Sequence, residues 1–215
     1  MENMETRTVN LQIRSSDLEK REIEGYAAVF TDEYTHLYDR WGDKFYERIA
    51  NGAFTKTLRE KTDNIFMLIN HDWNKVVGRR GSNLELFEDE HGLRFKLTVP
   101  NTTDGNDLLE NVRSGLIQGC SFGFNITESD GRWDDSYTEF YRTIREVELF
   151  EITATPIPAY ANTEISARSK LSIRDMKPKS EPKEEPKPQV NKNERSAMLM
   201  SAFFNAFLQK NNGGK

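Results

Sequence analysis

The sequence predicts an α+β domain, mixed or antiparallel in its sheet and arranged as a barrel with helices on it. A disordered linker and a C-terminal helix are expected to follow. Three observations carry this reading. Short runs of β-branched and aromatic residues, punctuated by Gly, Asn and Asp, recur between residues 9 and 158, as strands and turns require. Only two stretches before residue 160 space their apolar residues as a helix does, so strands and helices do not alternate regularly. The composition also changes near residue 166, beyond which four of the seven prolines gather among charges of both signs.

A charged lead-in passes into an expected first strand over 9–13. Residues 22–30 (EIEGYAAVF) form a second, with Gly25 as a bulge or a close approach. Residues 31–43, containing His36 and Trp41, suit a loop or short hairpin. After the break at Asn51-Gly52, residues 53–59 carry Phe54 and Leu58 four apart, which predicts a short helix. Residues 64–70 (NIFMLIN) are apolar over one strand length and predict a buried strand ending at Asn70-His71-Asp72. Residues 75–80 make a further strand. Two alternating segments then flank Asp89-Glu90-His91-Gly92 and predict a hairpin. Thr102 or Thr103 opens a helix whose apolar face holds Leu108, Leu109, Val112 and Leu116, with Gly115 at its end. Residues 117–126 form a strand, 128–136 are turn-rich, 140–158 form a long strand and 159–163 lead out through a turn.

Residues 166–193 cannot bury enough apolar surface to fold alone and are expected to be an extended linker. Beyond it, Met198, Leu199, Met200, Phe203, Phe204, Phe207 and Leu208 predict an apolar helix over 194–209. It is too short to span a bilayer and suited to docking on a partner or on the domain itself. The expected organisation is therefore a domain over 1–165, a linker over 166–193 and a docking segment over 194–215.

The bulk numbers narrow the function classes. A net charge of -5 over 215 residues disfavours nucleic acid as the main partner, since no basic excess exists to neutralise phosphates. One cysteine rules out an internal disulfide. No basic and apolar leader opens the chain, and no run of about 18 apolar residues occurs in it. A soluble cytosolic protein without membrane contact is expected.

The chemically unusual stretch is Gly119-Cys120-Ser121-Phe122-Gly123-Phe124, a hydroxyl beside the chain's one thiol between glycines and aromatics. Serine becomes a nucleophile only when a base takes its proton, and three histidines are available. His36 sits in a polar loop and His91 in a hairpin turn, where turn chemistry accounts for it. His71 ends a buried strand, at the mouth of a sheet. An acid must then orient the imidazole. Glu151 lies inside an apolar strand, where alternation places it on the face of Leu149 and Thr153, and buried acids are paired or functional. Asp72 adjoins His71 and so points to the opposite face of a strand; Glu148 suits a solvated face. Cys120 is an alternative nucleophile, although it faces away from Ser121 and suits core packing. Metal-ligand spacings and phosphate-binding loops are missing, so no cofactor is expected.

A set of short motifs adds to this. Glu24-Gly25-Tyr26-Ala27-Ala28-Val29-Phe30, Gly52-Ala53-Phe54, Asn70-His71-Asp72, Val77-Gly78-Arg79, Gly92-Leu93, Val99-Pro100-Asn101-Thr102, Gly119 to Phe124, Leu149-Phe150-Glu151-Ile152-Thr153 and Pro158-Ala159-Tyr160 occur in this order. Together they resemble the prohead, or capsid-maturation, serine proteases of tailed phages, which are related to the herpesvirus assemblins. The resemblance covers about residues 20–163. It implies an assemblin-like small β-barrel surrounded by helices, with Ser121 as nucleophile and His71 as general base. The third member is carried to Glu151. The assemblins use a second histidine there, and neither His36 nor His91 falls at that place; Thr153 stands where serine is more usual. The implied function is a serine endopeptidase that cleaves scaffold and capsid protein segments, and itself, inside immature capsids in the bacterial host, with possible self-association. Backbone N–H groups near 121–123 are expected to hold the oxyanion, with Arg142 or Arg145 as an assisting charge. The competing reading is a non-enzymatic scaffold or capsid-assembly protein that keeps a protease-like fold.

Overall fold

The computed structural model describes residues 4–9, 14–17, 21–39, 41–156, 165–166 and 172–177. In chain order the strands begin with β1 (Glu5–Val9), β2 (Arg14–Asp17) and β3 (Glu22–Val29), then β4 (Thr35–Tyr38) and β5 (Lys44–Ile49). Helix α1 (Thr55–Glu60) precedes β6 (Phe66–Ile69), β7 (Asp72–Arg79), β8 (Leu84–Glu88) and β9 (Gly92–Thr98). Helix α2 (Thr103–Arg113) leads to β10 (Gly119–Trp133) and β11 (Phe140–Thr155), followed by β12 (Ile165–Ser166) and α3 (Ile173–Met176).

The strands form two sheets. The larger runs β1-β10-β11-β5-β4-β12, with β6 joined to β11 and β7 joined to β6. The smaller runs β2-β3-β9-β8. The expected barrel is corrected here, because among the described residues the pairing does not close into a ring. The cause lies in β11, which pairs in parallel with β5 over Phe140–Ile144 and with β6 over Glu151–Ala154. One long strand feeding two partners makes the sheet branch, and a branched sheet leaves edges.

The main core lies between the sheets. Ile23, Leu93, Phe95 and Leu97 come from the smaller sheet, Phe122, Phe124, Leu149 and Ile152 from the larger, and Leu108, Leu109 and Val112 from α2. Each fully buried aromatic or branched side chain contributes about 2 kcal/mol by leaving water. A second cluster joins Leu37, Phe45, Phe140 and Ile173. Ile173 lies within the stretch expected as linker; the other residues beyond 177, the expected helix over 194–209 and the turn over 159–163 lie outside the described residues.

Several local readings shift. The first strand is Glu5–Val9, N-terminal to the run over 9–13, whose residues 10–13 are not described. Gly25 pairs regularly with Phe95, and the register of β3 breaks between Tyr26 and Ala28 instead. Thr102 caps α2 by accepting from the Gly105 N–H, while Leu116 lies past the helix end and is exposed. The stretch over 128–136 is strand as far as Trp133; the turn comes at 134–138, where the Asp134 carboxylate accepts from the N–H groups of Thr138 and Glu139.

Candidate active site

β10 and β11 run antiparallel with Ser121 opposite Thr153 and Gly123 opposite Glu151. Residues directly opposite share a face, and so do residues two apart. Ser121, Thr153 and Glu151 therefore stand on one face of the ribbon, while Cys120, Phe122, Ile152 and Ala154 belong to the apolar core. The expected sharing of a face by Glu151 and Leu149 is overturned. The register shifts between Gly123 and Phe124, so that Phe124 meets Leu149 and Phe150 is the extra residue. This bulge sends Leu149 into the core and leaves Glu151 beside Thr153.

His71 reaches the same face from the β6–β7 turn. Asn70 and His71 both have left-handed backbone, with φ of 53° and 59°, and Ile69 pairs with Asp72 around them. This is the two-residue turn that matches strand twist, although a histidine in its second position carries a conformational cost of about 1 kcal/mol. Two bonds to β11 hold the turn: the Asn70 N–H donates to the Ala154 carbonyl and the His71 N–H to the Thr153 hydroxyl at 2.9 Å. The ring is then set, with Nδ1 2.7 Å from Glu151 Oε1. Asp72 caps its own turn by accepting from the N–H and side-chain amide of Asn74.

Glu151 is fully buried. Burial pushes its carboxyl above the ordinary carboxylate range, and the bond and charge of His71 oppose that push. Its Oε2 has no hydrogen-bond partner among the described residues, a costly state that native structures tolerate mainly at working sites. Gly123 makes the arrangement possible, because a Cβ there would collide with Glu151 Oε1 and with the Met4 sulfur.

The other candidates fall away from this face. His36 is exposed beside Tyr38 and Tyr46, and His91 is exposed with its ring edge-on to Tyr26. Cys120 is buried, and burial with the nearby Glu151 charge pushes its thiol far up, away from thiolate. Glu148 is half-buried and pairs with Lys61 at 2.8 Å. Arg145 pairs with Asp130 on the surface, whereas Arg142 is buried against Glu47.

Sequence reasoning missed what lies on the outer side of β10. There β1 runs antiparallel, with Arg7 opposite Phe122 and Thr8 opposite Ser121. The Ser121 hydroxyl, itself fully buried, donates to the Arg7 carbonyl at 2.7 Å. The Arg7 side chain is buried with Glu5, Glu47 and Arg142. No periodicity signals such a group, since its members lie up to 137 residues apart.

No helix among the described residues is long and apolar enough to cross a membrane. No curated protein matches the chain. The solved structure of the bacteriophage T4 capsid assembly protease gp21 is similar at 13% identity and a TM-score of 0.44, over 71% of this chain and 98% of that one. The profile of the caudovirus prohead serine proteases matches residues 9–179, and the chain, which carries the face just described within that span, belongs to that family.

Proposed function

We propose that the chain is a serine endopeptidase of prohead maturation in which Ser121 is the nucleophile, His71 the general base and Glu151 the carboxylate that orients the imidazole. The observation that carries this reading is the 2.7 Å contact between His71 Nδ1 and Glu151 Oε1, on the face that also bears Ser121. With Nδ1 held by the carboxylate, Nε2 is the nitrogen left to move a proton. Ser121 Oγ attacks the scissile carbonyl as Nε2 takes its proton; His71 then protonates the leaving amine, and Glu151 stabilises the imidazolium between the two steps. Water attacks the resulting ester with His71 again as base. Segments of scaffold and capsid protein inside an immature shell are the substrates, as is the chain itself. Residues 194–215 serve as the docking segment that brings the protease to the shell, and the stretch over 166–193 tethers it.

A fluorophosphonate probe on the full chain tests the nucleophile. Wild type should label at Ser121 and hydrolyse peptides, and Ser121→Ala and His71→Ala should each lose peptidase activity by on the order of 10⁶-fold. Cys120→Ala should remain active. The complete burial of Ser121 favours a second reading, a scaffold protein that keeps the fold and cuts nothing. Absence of both labelling and hydrolysis in wild type would decide for it.

A further inference from the structure

β1 is an edge strand of the larger sheet, and without it β10 would itself be the edge. An extended peptide added to a sheet edge is a common way for proteins to bind peptides, with backbone bonds supplying affinity and alternate side chains supplying choice. β1 has this form. It lies antiparallel on the strand that carries Ser121, and the carbonyl 2.7 Å from Ser121 Oγ belongs to Arg7.

The Glu5 and Arg7 side chains of this strand enter a built pocket. Glu47, on β5, takes the Arg7 guanidinium in a two-point fork, Nε at 2.5 Å on Oε1 and Nη2 at 3.1 Å on Oε2. Arg142, on β11, holds Glu47 from the other side through Nε at 2.7 Å. Glu5, two residues before Arg7, accepts from Arg7 Nη2 at 2.8 Å and lies 3.5 Å from Arg142. Phe124 lies against the Arg7 guanidinium and Phe45 against that of Arg142. Burial would raise the Glu47 carboxyl, but the two arginines outweigh it and keep it below the ordinary range. Ion pairs this deep add little to stability, because desolvation offsets their attraction. Their geometry is selective instead: a planar fork facing a fixed carboxylate distinguishes arginine from lysine and from uncharged residues.

On the reading of Ser121, His71 and Glu151 proposed above, we infer that the β10 edge is where a substrate strand binds, that Glu47 braced by Arg142 selects arginine at the attacked carbonyl, and that β1 is the enzyme's own first substrate, cut between Arg7 and Thr8. Ser121 Oγ forms a bond to the Arg7 carbonyl carbon while His71 takes the hydroxyl proton. The Arg7–Thr8 C–N bond breaks, and that proton passes to the Thr8 nitrogen. Residues 1–7 are then held as an ester on Ser121. Water attacks the ester, a water proton returns through His71 to Ser121 Oγ, and residues 1–7 leave with an Arg7 carboxylate. Their departure opens the edge opposite Phe122–Phe124 to strands from other chains, and the position two residues before the arginine favours an acid, the place Glu5 takes here.

Intact-mass and N-terminal analysis of the full chain, alongside Ser121→Ala, tests this together with cleavage-site mapping on a peptide library derived from a bacterial proteome. Wild type should begin at Thr8 and Ser121→Ala should keep residues 1–7. Library cuts should follow arginine, with lysine disfavoured by at least about tenfold. Arg7→Ala should keep its N-terminal segment while remaining labelled by the fluorophosphonate probe at Ser121 once that segment is removed by an engineered protease site. If wild type cuts library peptides after other residues and keeps residues 1–7, the inference fails and the protease reading stands. If it neither cuts any peptide nor takes the probe, both fail.

Discussion

At the scale of the residue, the site rests on opposing demands at Glu151. Its carboxyl is buried beyond what one bond to His71 satisfies, and its proton affinity is raised. The folded chain therefore binds this proton more tightly than the unfolded chain does. Stability from this group is fully present below the ordinary carboxyl value of 4.5 and is lost as pH rises through the raised folded value. Glu151→Gln removes the charge at nearly constant shape. Its melting temperature should match or exceed that of wild type at neutral pH and lose this part of the pH dependence, as calorimetry across the acid-to-neutral range would show. The same change should lower peptidase activity by about 10⁴-fold, since an amide cannot stabilise the imidazolium. Loss of both stability and activity would instead mark Glu151 as structural. The candidacy of Glu151 was legible in the sequence because an acid among Leu149, Phe150 and Ile152 is anomalous. Strand alternation and the family resemblance already set Asp72 aside; the 2.7 Å approach of Glu151 Oε1 to His71 Nδ1 is visible only in the structure.

At the scale of the element, β10 and β11 act as one ribbon whose irregularities matter more than its length. The bulge at Phe150 reverses the alternation, so that Leu149 and Ile152 both reach the core while Glu151 and Thr153 share the other face. Simple alternation along 140–158 cannot reveal this, because a bulge is defined by the partner strand. Gly123 is the counterpart on β10. A methyl group there must displace the Glu151 carboxylate or Met4, and a misplacement of about 1 Å at a reacting centre costs about 10²-fold in rate. Gly123→Ala should therefore fold, lose activity by about that factor and keep probe labelling measurable. Unchanged kinetics would show that the glycine serves only strand packing. The β6–β7 turn is the third device: Asn70 and His71 take left-handed backbone, and the bonds to Ala154 and Thr153 fix the ring relative to β11.

At the scale of the whole molecule, two sheets enclose the core and leave the candidate site on the larger one, roofed at its edge by the N-terminal strand. The family places this molecule among the prohead serine proteases of tailed phages. Deleting residues 190–215 should leave hydrolysis of soluble peptides unchanged and abolish incorporation into proheads, as measured by protease content of purified particles. Normal incorporation would remove the docking role from that segment.

By itself the sequence determined most of the strands and helices, the hairpin turn at 89–92 and the small set of residues able to do chemistry, but not the face of Leu149 or the turn at 134–138. Hydrophobic periodicity, Gly and Asn punctuation and the scarcity of histidine are local properties, and each acts within a few residues of itself. The hairpin at 89–92, the cap at Thr102 and the placement of His71 at a strand end follow from them. Only the tertiary structure decided which distant segments pair. It replaced the expected barrel by a branched sheet, since β11 takes both β5 and β6 as neighbours, and it brought Arg7, Glu47 and Arg142 together in one buried group. Such pairings depend on the joint packing of strands far apart in the chain, and no single stretch carries the information that selects them.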